Sequence, residues 1–195
     1  MREDGLLRIV SGAFRGRALA APKGEATRPT SDRARQAIFN ILEHAAWSPG
    51  VRDARVIDLF AGSGALGFEA LSRGAAHASF VEQGAPQAAA IRAAAANLAA
   101  GERAEIAQAD ALAWLRGSGR RYDVVFLDPP YGAGLLEPAL AALPRVLAPT
   151  HRIYLEWPAG KPPLLPPGYS LLKEKSAGQV SYGLATYNAG TASDR

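Results

Sequence analysis

The stretch Val56-Ile57-Asp58-Leu59-Phe60-Ala61-Gly62-Ser63-Gly64-Ala65-Leu66-Gly67 decides the fold. A short apolar run enters a glycine turn, and the residues after the turn open a helix. Glycines at such a junction let the backbone approach a ligand closely, and the helix start offers N–H groups without intrahelical partners. Gly62, Gly64 and Gly67 match the dinucleotide spacing G-x-G-x-x-G, a weak signal when it stands alone. Asp58 separates the readings. A carboxylate just before the turn suits a cofactor with a positive ammonium and sits badly beside a pyrophosphate. A tight strand–helix turn with no ligand is the remaining reading.

Working outward, strands and helices alternate. Arg55–Phe60 reads as a buried strand, 63–73 as a helix, His77–Glu82 as a strand, and the alanine-rich 85–100 as a helix stopped by Gly101. Glu105–Gln108 is a short strand, 111–116 a short helix, Tyr122–Leu127 a strand, 135–147 a helix despite Pro138 and Pro144, and Arg152–Trp157 a strand. Residues 169–175 and 180–187 form a last pair of strands with no helix between them. This order predicts an α/β fold: a Rossmann-like, doubly wound, mostly parallel sheet that ends in an antiparallel hairpin and binds ligands at the carboxyl ends of its strands. Upstream, Leu7–Val10 and Arg17–Ala20 suggest a small hairpin. Thr30 or Ser31 can cap a helix whose buried face carries Ala34, Ala37, Ile38, Ile41, Leu42 and Ala45. The chain therefore divides into an N-terminal basic hairpin and loop (1–30), one α/β domain (31–187) and a disordered tail (188–195).

Composition narrows the function. The chain has 195 residues and a net charge of +4. Arg8, Arg15, Arg17, Lys23, Arg28, Arg33 and Arg35 face only Glu25 and Asp32 within residues 8–35, a local balance of +5. The remainder of the chain sums to about −1, so the charge is a basic patch on a neutral body, which fits a polyanionic partner. Cysteine is absent. Disulfides, thiolate metal sites and the cysteine nucleophile used to methylate ring carbon 5 of pyrimidines are excluded together. His44, His77 and His151 have no metal-ligand spacing, so no metal is expected. Trp47, Trp114 and Trp157 read as packing residues. No apolar stretch is long enough to span a membrane and the start has no secretory pattern, so the expectation is a cytoplasmic protein.

Three further positions complete the candidate site. Glu82 ends the second strand, where a carboxylate can accept both hydroxyls of a ribose; an exposed strand-end glutamate is the plainer reading. Asp110, after the third, can accept from an adenine amino group, cap the next helix, or do both. Asp128-Pro129-Pro130-Tyr131, after the fourth, is the most specific signal. The lone pair of an exocyclic amine on a base is delocalised into the ring. Acceptors that take its hydrogens turn that lone pair toward a methyl donor. The Asp128 carboxylate and the Pro129 carbonyl can do so, held by a turn that two prolines stiffen. Tyr131 offers a ring on which an unstacked base can lie.

Together these residues resemble class I S-adenosylmethionine-dependent methyltransferases: Asp58 to Gly64 the first motif, Glu82 the second, Asp110 the third, and Asp128 to Tyr131 the amino-methylating form of the fourth. The resemblance implies that Asp58, Phe60, Gly62, Gly64, Glu82, Asp110 and Thr30 hold S-adenosylmethionine and that Asp128, Pro129, Pro130 and Tyr131 act on the base. Arg8-Ile9-Val10-Ser11-Gly12, Phe14-Arg15-Gly16-Arg17 and the run Arg28 to Leu42 are similar to the RsmD family, over about residues 7 to 187. Ser11 stands where that family often has a second glycine, and Gln36 where glutamate is common. The family implies N2 of one guanine in 16S ribosomal RNA as the target, within the small subunit or its assembly intermediate. It implies that the seven basic residues above grip RNA and that the segment from Thr30 to Asn40 closes over the methionine end of the cofactor; a monomer is expected. From the chemistry alone, adenine N6 of DNA or RNA remains an alternative target, and a non-catalytic RNA-binding assembly factor an alternative role. A nicotinamide oxidoreductase leaves Asp128 to Tyr131 unexplained.

Overall fold

The computed structural model describes residues 7–20, 32–44, 50–130 and 132–190, with 32, 33 and 44 described by backbone alone. The elements are β1 (Leu7–Arg8), β2 (Ala18–Leu19), α1 (Asp32–His44), β3 (Arg55–Asp58), α2 (Ala65–Ser72), β4 (His77–Glu82), α3 (Ala85–Asn97), β5 (Ala104–Gln108), α4 (Ala111–Gly117), β6 (Tyr122–Leu127), α5 (Leu136–Ala142), β7 (Leu147–Pro158), β8 (Tyr169–Ala177) and β9 (Val180–Tyr187).

Seven strands form one sheet in the order β5-β4-β3-β6-β7-β9-β8. Strands β5 to β7 are parallel, and β9 inserts antiparallel between β7 and β8. The fold is thus the α/β sheet that the strand–helix alternation predicts, with its antiparallel hairpin at one edge. The order reverses at β3, so the crevice at its carboxyl end is the topological switch point where ligands bind in such sheets.

The central strands β3, β4, β6 and β7 are apolar on both faces, and both are covered. Val56, Phe80, Phe126 and Tyr154 pack toward α1, α2 and α3. Ile57, Val81, Val125, Leu127 and Ile153 pack toward α4 and α5. On the first face, Phe39 of α1 meets Phe126 with ring centroids 5.6 Å apart.

Several boundaries differ from expectation, each for a local reason. Helix α3 ends at Asn97 rather than at Gly101: Ala99 adopts a φ of 50°, and the Ala100 amide donates to the Ala95 carbonyl at 2.9 Å. That is a Schellman closure with alanine in the place usually given to glycine. Gly101 instead begins a single 3-10 turn, Gly101–Arg103. The helix expected over 135–147 stops at Ala142 and tightens into a 3-10 turn, Leu143–Val146, because Pro144 has no amide to continue the α ladder. Strand β7 begins at Leu147, earlier than expected, across an irregularity that steps the register from Tyr122↔Leu147 to Val124↔Arg152.

The N-terminal hairpin is shorter than predicted, with two residues in each strand. It is fastened to the body instead of standing alone. The Val10 and Ser11 amides donate to the two carboxylate oxygens of Glu69 at 2.7 and 3.0 Å, and the Phe14 amide donates to the Ser72 hydroxyl at 2.9 Å. Leu7, Ile9 and Leu19 belong to the same core as α1 and α2. The proposed helix caps Thr30 and Ser31 and residues 191–195 of the expected tail lie outside the described residues.

Candidate active site

The sequence-predicted acids converge at the carboxyl ends of neighbouring strands. Asp58 closes β3, Glu82 closes β4, Asp110 follows β5 and Asp128 follows β6. The glycine turn sits among them. Gly62 and Gly64 have φ of 53° and 75°, the left-handed region open to glycine. At Gly62 the nearest atom to a notional Cβ is the Phe60 carbonyl oxygen at 4.0 Å, so the turn leaves room for close approach. Phe60 itself is half-buried beside it.

Asp58 is buried, and its Oδ2 accepts the Gly67 amide at 3.0 Å, satisfying one of the free N–H groups in the first turn of α2. Burial, opposed by that hydrogen bond and reinforced by the nearby Glu82 charge, pushes its carboxyl up to about 7. A cation placed beside this carboxyl would reverse that shift. Glu82 accepts from Gly62 N at 2.8 Å and from Gly84 N at 2.7 Å, and a carboxylate with two such donors keeps acceptor capacity for hydroxyls. Asp110 is exposed and caps α4 by accepting the Ala113 amide at 2.7 Å.

Asp128 is half-buried, with Pro129 buried and Pro130 exposed after it. Burial raises the Asp128 carboxyl well above the ordinary range, and the negative charges of Glu156 and Asp58 raise it further. A carboxylate with that affinity for protons at the mouth of the sheet is suited to take a proton from a weakly acidic donor.

Comparison with known proteins bears on this arrangement. The family described as Conserved hypothetical protein 95 matches residues 7–186. Ribosomal RNA small subunit methyltransferase D of Escherichia coli (strain K12) is 40% identical over 194 residues, which is 98% of this chain and 95% of that protein. The chain belongs to the RsmD family. The protein of the same name from Haemophilus influenzae is 39% identical over 92% of this chain and 93% of its own length. The solved structure of the methyltransferase yhhF from Escherichia coli superposes with a TM-score of 0.84 at 40% identity, covering 95% of this chain and 99% of that one.

In this RsmD-family chain the basic residues divide. Arg8, Arg15 and Arg17 are exposed on the hairpin. Arg17 Nη2 donates to the Asn97 carbonyl at 2.5 Å, and the Arg103 guanidinium lies 5.8 Å from the Phe14 ring centre, so the hairpin abuts the end of α3. Arg35 is different: it is 1% exposed, and its Nη2 donates to the Arg8 carbonyl at 2.5 Å. Expected on the RNA-facing surface, it is instead a brace between α1 and the hairpin. The reason is its place on the face of α1 that also buries Ile38, Phe39 and Leu42. Lys23, Arg28, Thr30 and Tyr131 lie outside the described residues, as does the side chain of Arg33.

Two acids escaped the sequence reading. Glu69 is fully buried in α2 and holds the hairpin. Arg73 ties it to α1: its Nε lies 2.8 Å from Glu69 Oε1, its Nη1 3.1 Å from Glu43, and its Nη2 donates to Gln36 at 3.1 Å. Glu156 is buried on β7 and accepts the Tyr154 hydroxyl at 2.7 Å. The available signal was a charge inside an otherwise apolar run, Phe68-Glu69-Ala70-Leu71 in one case and Tyr154-Leu155-Glu156-Trp157 in the other. Among the described residues no group of three or more His, Asp or Glu could hold a metal ion, and no helix is long and apolar enough to cross a membrane.

Proposed function

We propose that this chain transfers a methyl group from S-adenosylmethionine to N2 of a guanine in 16S ribosomal RNA, acting on the small subunit or its assembly intermediate in the cytoplasm, as a monomer. The observation that carries the reading is the Asp128-Pro129-Pro130 turn at the end of β6, next to the strand that bears Asp58 and the glycine turn. Support comes from the near-full-length likeness to proteins named ribosomal RNA small subunit methyltransferase D.

The residues fit the cofactor. The buried Asp58 carboxylate suits an ammonium, the open glycine turn suits close backbone approach, Glu82 suits ribose hydroxyls and the exposed Asp110 suits an adenine amine, with Phe60 beside the turn; Thr30 is a further cofactor ligand in this reading. S-adenosylmethionine supplies an electrophilic methyl group. Asp128 and the Pro129 carbonyl accept the N2 hydrogens and turn the lone pair outward, Pro130 stiffens the turn, and Tyr131 stacks on the base. With the cofactor bound, its sulfur would be the leaving atom for the methyl group, and Asp128 would take the proton released from N2. No covalent enzyme intermediate is required, and alignment supplies most of the rate gain. Residues 1–30 form the RNA-gripping extension, through Arg8, Arg15, Arg17, Lys23 and Arg28, with Arg33 at the start of α1; residues 31–187 form the catalytic body.

The test is methyl transfer from labelled S-adenosylmethionine to unmethylated small subunits, protein-free 16S RNA and duplex DNA, followed by nucleoside identification. The expected product is N2-methylguanosine from the subunits. Label in adenine would move the target to N6, and tight cofactor binding with no label anywhere would favour a non-catalytic role. Asp128→Ala should remove activity while leaving cofactor affinity within a few-fold; loss of both would overturn the assigned division of labour.

A further inference from the structure

Strands β6 and β7 run in register through Phe126↔Tyr154 and Leu127↔Leu155, which makes Asp128 and Glu156 the next pair along. Neighbouring strands lie about 4.8 Å apart, and alternation puts both carboxyls on the face that carries Phe126 and Tyr154. Their surroundings differ. Asp128 is half-buried at the strand end, whereas Glu156 is 9% exposed, flanked by Tyr154 on its own strand and by its register partner Tyr182 on β9. A buried carboxylate is costly, and a second carboxylate beside it adds to the cost. A leucine or methionine would fill the same space without either cost, so packing does not account for a glutamate here.

We propose that Glu156 is a positioning residue for methyl transfer: set behind Asp128 across the β6–β7 ladder, its carboxylate keeps Asp128 a strong acceptor for the proton that leaves the methylated amine. The inference rests on the reading of Asp128 as that acceptor. Glu156 does not touch the base; it acts through Asp128. The Tyr154 hydroxyl donates to Glu156 Oε2 and fixes the carboxylate in place. The other titratable groups that face the pair are Asp58 from β3, whose charge acts on Asp128, and Tyr182 from β9, the register partner of Glu156; Lys173 and Glu174 of β8 border a gap shared with Tyr154 and Tyr182. The negative fields of Glu156 and Asp58 both raise the Asp128 carboxyl, and burial of the Tyr182 phenol with Glu156 beside it raises that group too.

The experiment is the pH profile of kcat with unmethylated small subunits and saturating S-adenosylmethionine, for the unmodified protein, Glu156→Gln, Glu156→Asp and Asp128→Asn. Activity requires ionised Asp128, so each profile falls on the acid side. Glu156→Gln keeps an acceptor for Tyr154 but removes the charge. Its acid limb should move to lower pH by roughly one unit, with a plateau several-fold lower because the acceptor is a weaker base. Glu156→Asp should keep the limb near its original position. An acid limb unmoved in Glu156→Gln, with a melting temperature close to the original, would overturn the proposal. If Glu156→Gln fails to fold, a limb that moves down in Tyr154→Phe while that of Glu156→Asp stays near its original position supports it, and an unmoved limb in Tyr154→Phe overturns it. Substantial activity in Asp128→Asn would instead sink the underlying reading of Asp128, a failure distinct from that of Glu156.

Discussion

The Glu82 carboxylate accepts the Gly62 amide at 2.8 Å, so the end of β4 holds in place the glycine turn that leaves β3. One side chain thereby shapes the turn and, in the proposed reading, would also accept the ribose hydroxyls. Glu82→Ala should weaken S-adenosylmethionine binding by roughly 10- to 100-fold, the effect of losing charge-assisted hydrogen bonds worth about 1.5–3 kcal/mol. Glu82→Gln, which can keep one acceptor oxygen, should fall between the two. Calorimetric titration with the cofactor checks this; equal affinities for all three would remove Glu82 from the site.

Asp58 makes the cofactor-free protein sensitive to pH in a defined direction. Its folded carboxyl lies near 7, above the ordinary 3.8. Its contribution to stability is therefore complete below the ordinary value and is lost as pH rises through about 7, by at most about 4 kcal/mol. The melting temperature of Asp58→Asn should exceed that of the unmodified protein by a margin that grows from pH 5 to pH 8. A cationic ligand favours the ionised form, so cofactor binding at pH 6.5 should release protons, seen as a calorimetric enthalpy that depends on the buffer. A margin that shrinks with pH would refute the assignment.

Gly67 is set by close approach. A Cβ there would lie 2.3 Å from Phe80 Cε1, and the Phe68 and Phe80 rings are already 4.6 Å apart. Gly67→Ala should cost roughly 1–3 kcal/mol of overpacking and lower the melting temperature by about 2–12 °C. A thermal scan settles it, and an unchanged melting temperature would mean the ring moves aside at no cost.

On the hairpin, Arg15→Ala together with Arg17→Ala should weaken RNA binding and flatten its dependence on salt by about one unit of slope per lost phosphate contact. Arg35→Ala should do the reverse: lower thermal stability and leave the slope alone, because its guanidinium is turned inward. Filter binding across a salt series, with a melting curve for each variant, separates the two roles.

The sheet was legible because its strands are short apolar runs set off by glycines, and β4, β6 and β9 have the ends that the pattern of residues predicts. Asp58, Glu82 and Asp128 were legible because each stands where an apolar strand gives way to a turn. Less legible were the features decided by tertiary contact. The cationic count around residues 8–35 could not tell that Arg35 turns inward, since a helix stripe mixing alanine, isoleucine and arginine reads the same with the arginine on its rim. The β1–β2 pairing looked like a longer ladder because nothing local in Leu7–Val10 reveals that Glu69, far along the chain, takes the amides of Val10 and of Ser11 after it. Glu156 was passed over because in a central strand a charge suggests only an end or an edge.

Glu69 also bears on whether the hairpin is portable. With two residues in each strand and its amides spent on a carboxylate of α2, the hairpin carries little of its own architecture. Grafted alone onto another methyltransferase, it would arrive without its socket. A working transplant has to bring Glu69 and Ser72 of α2 with it, so the exchangeable unit is hairpin plus helix, and that helix begins at the glycine turn.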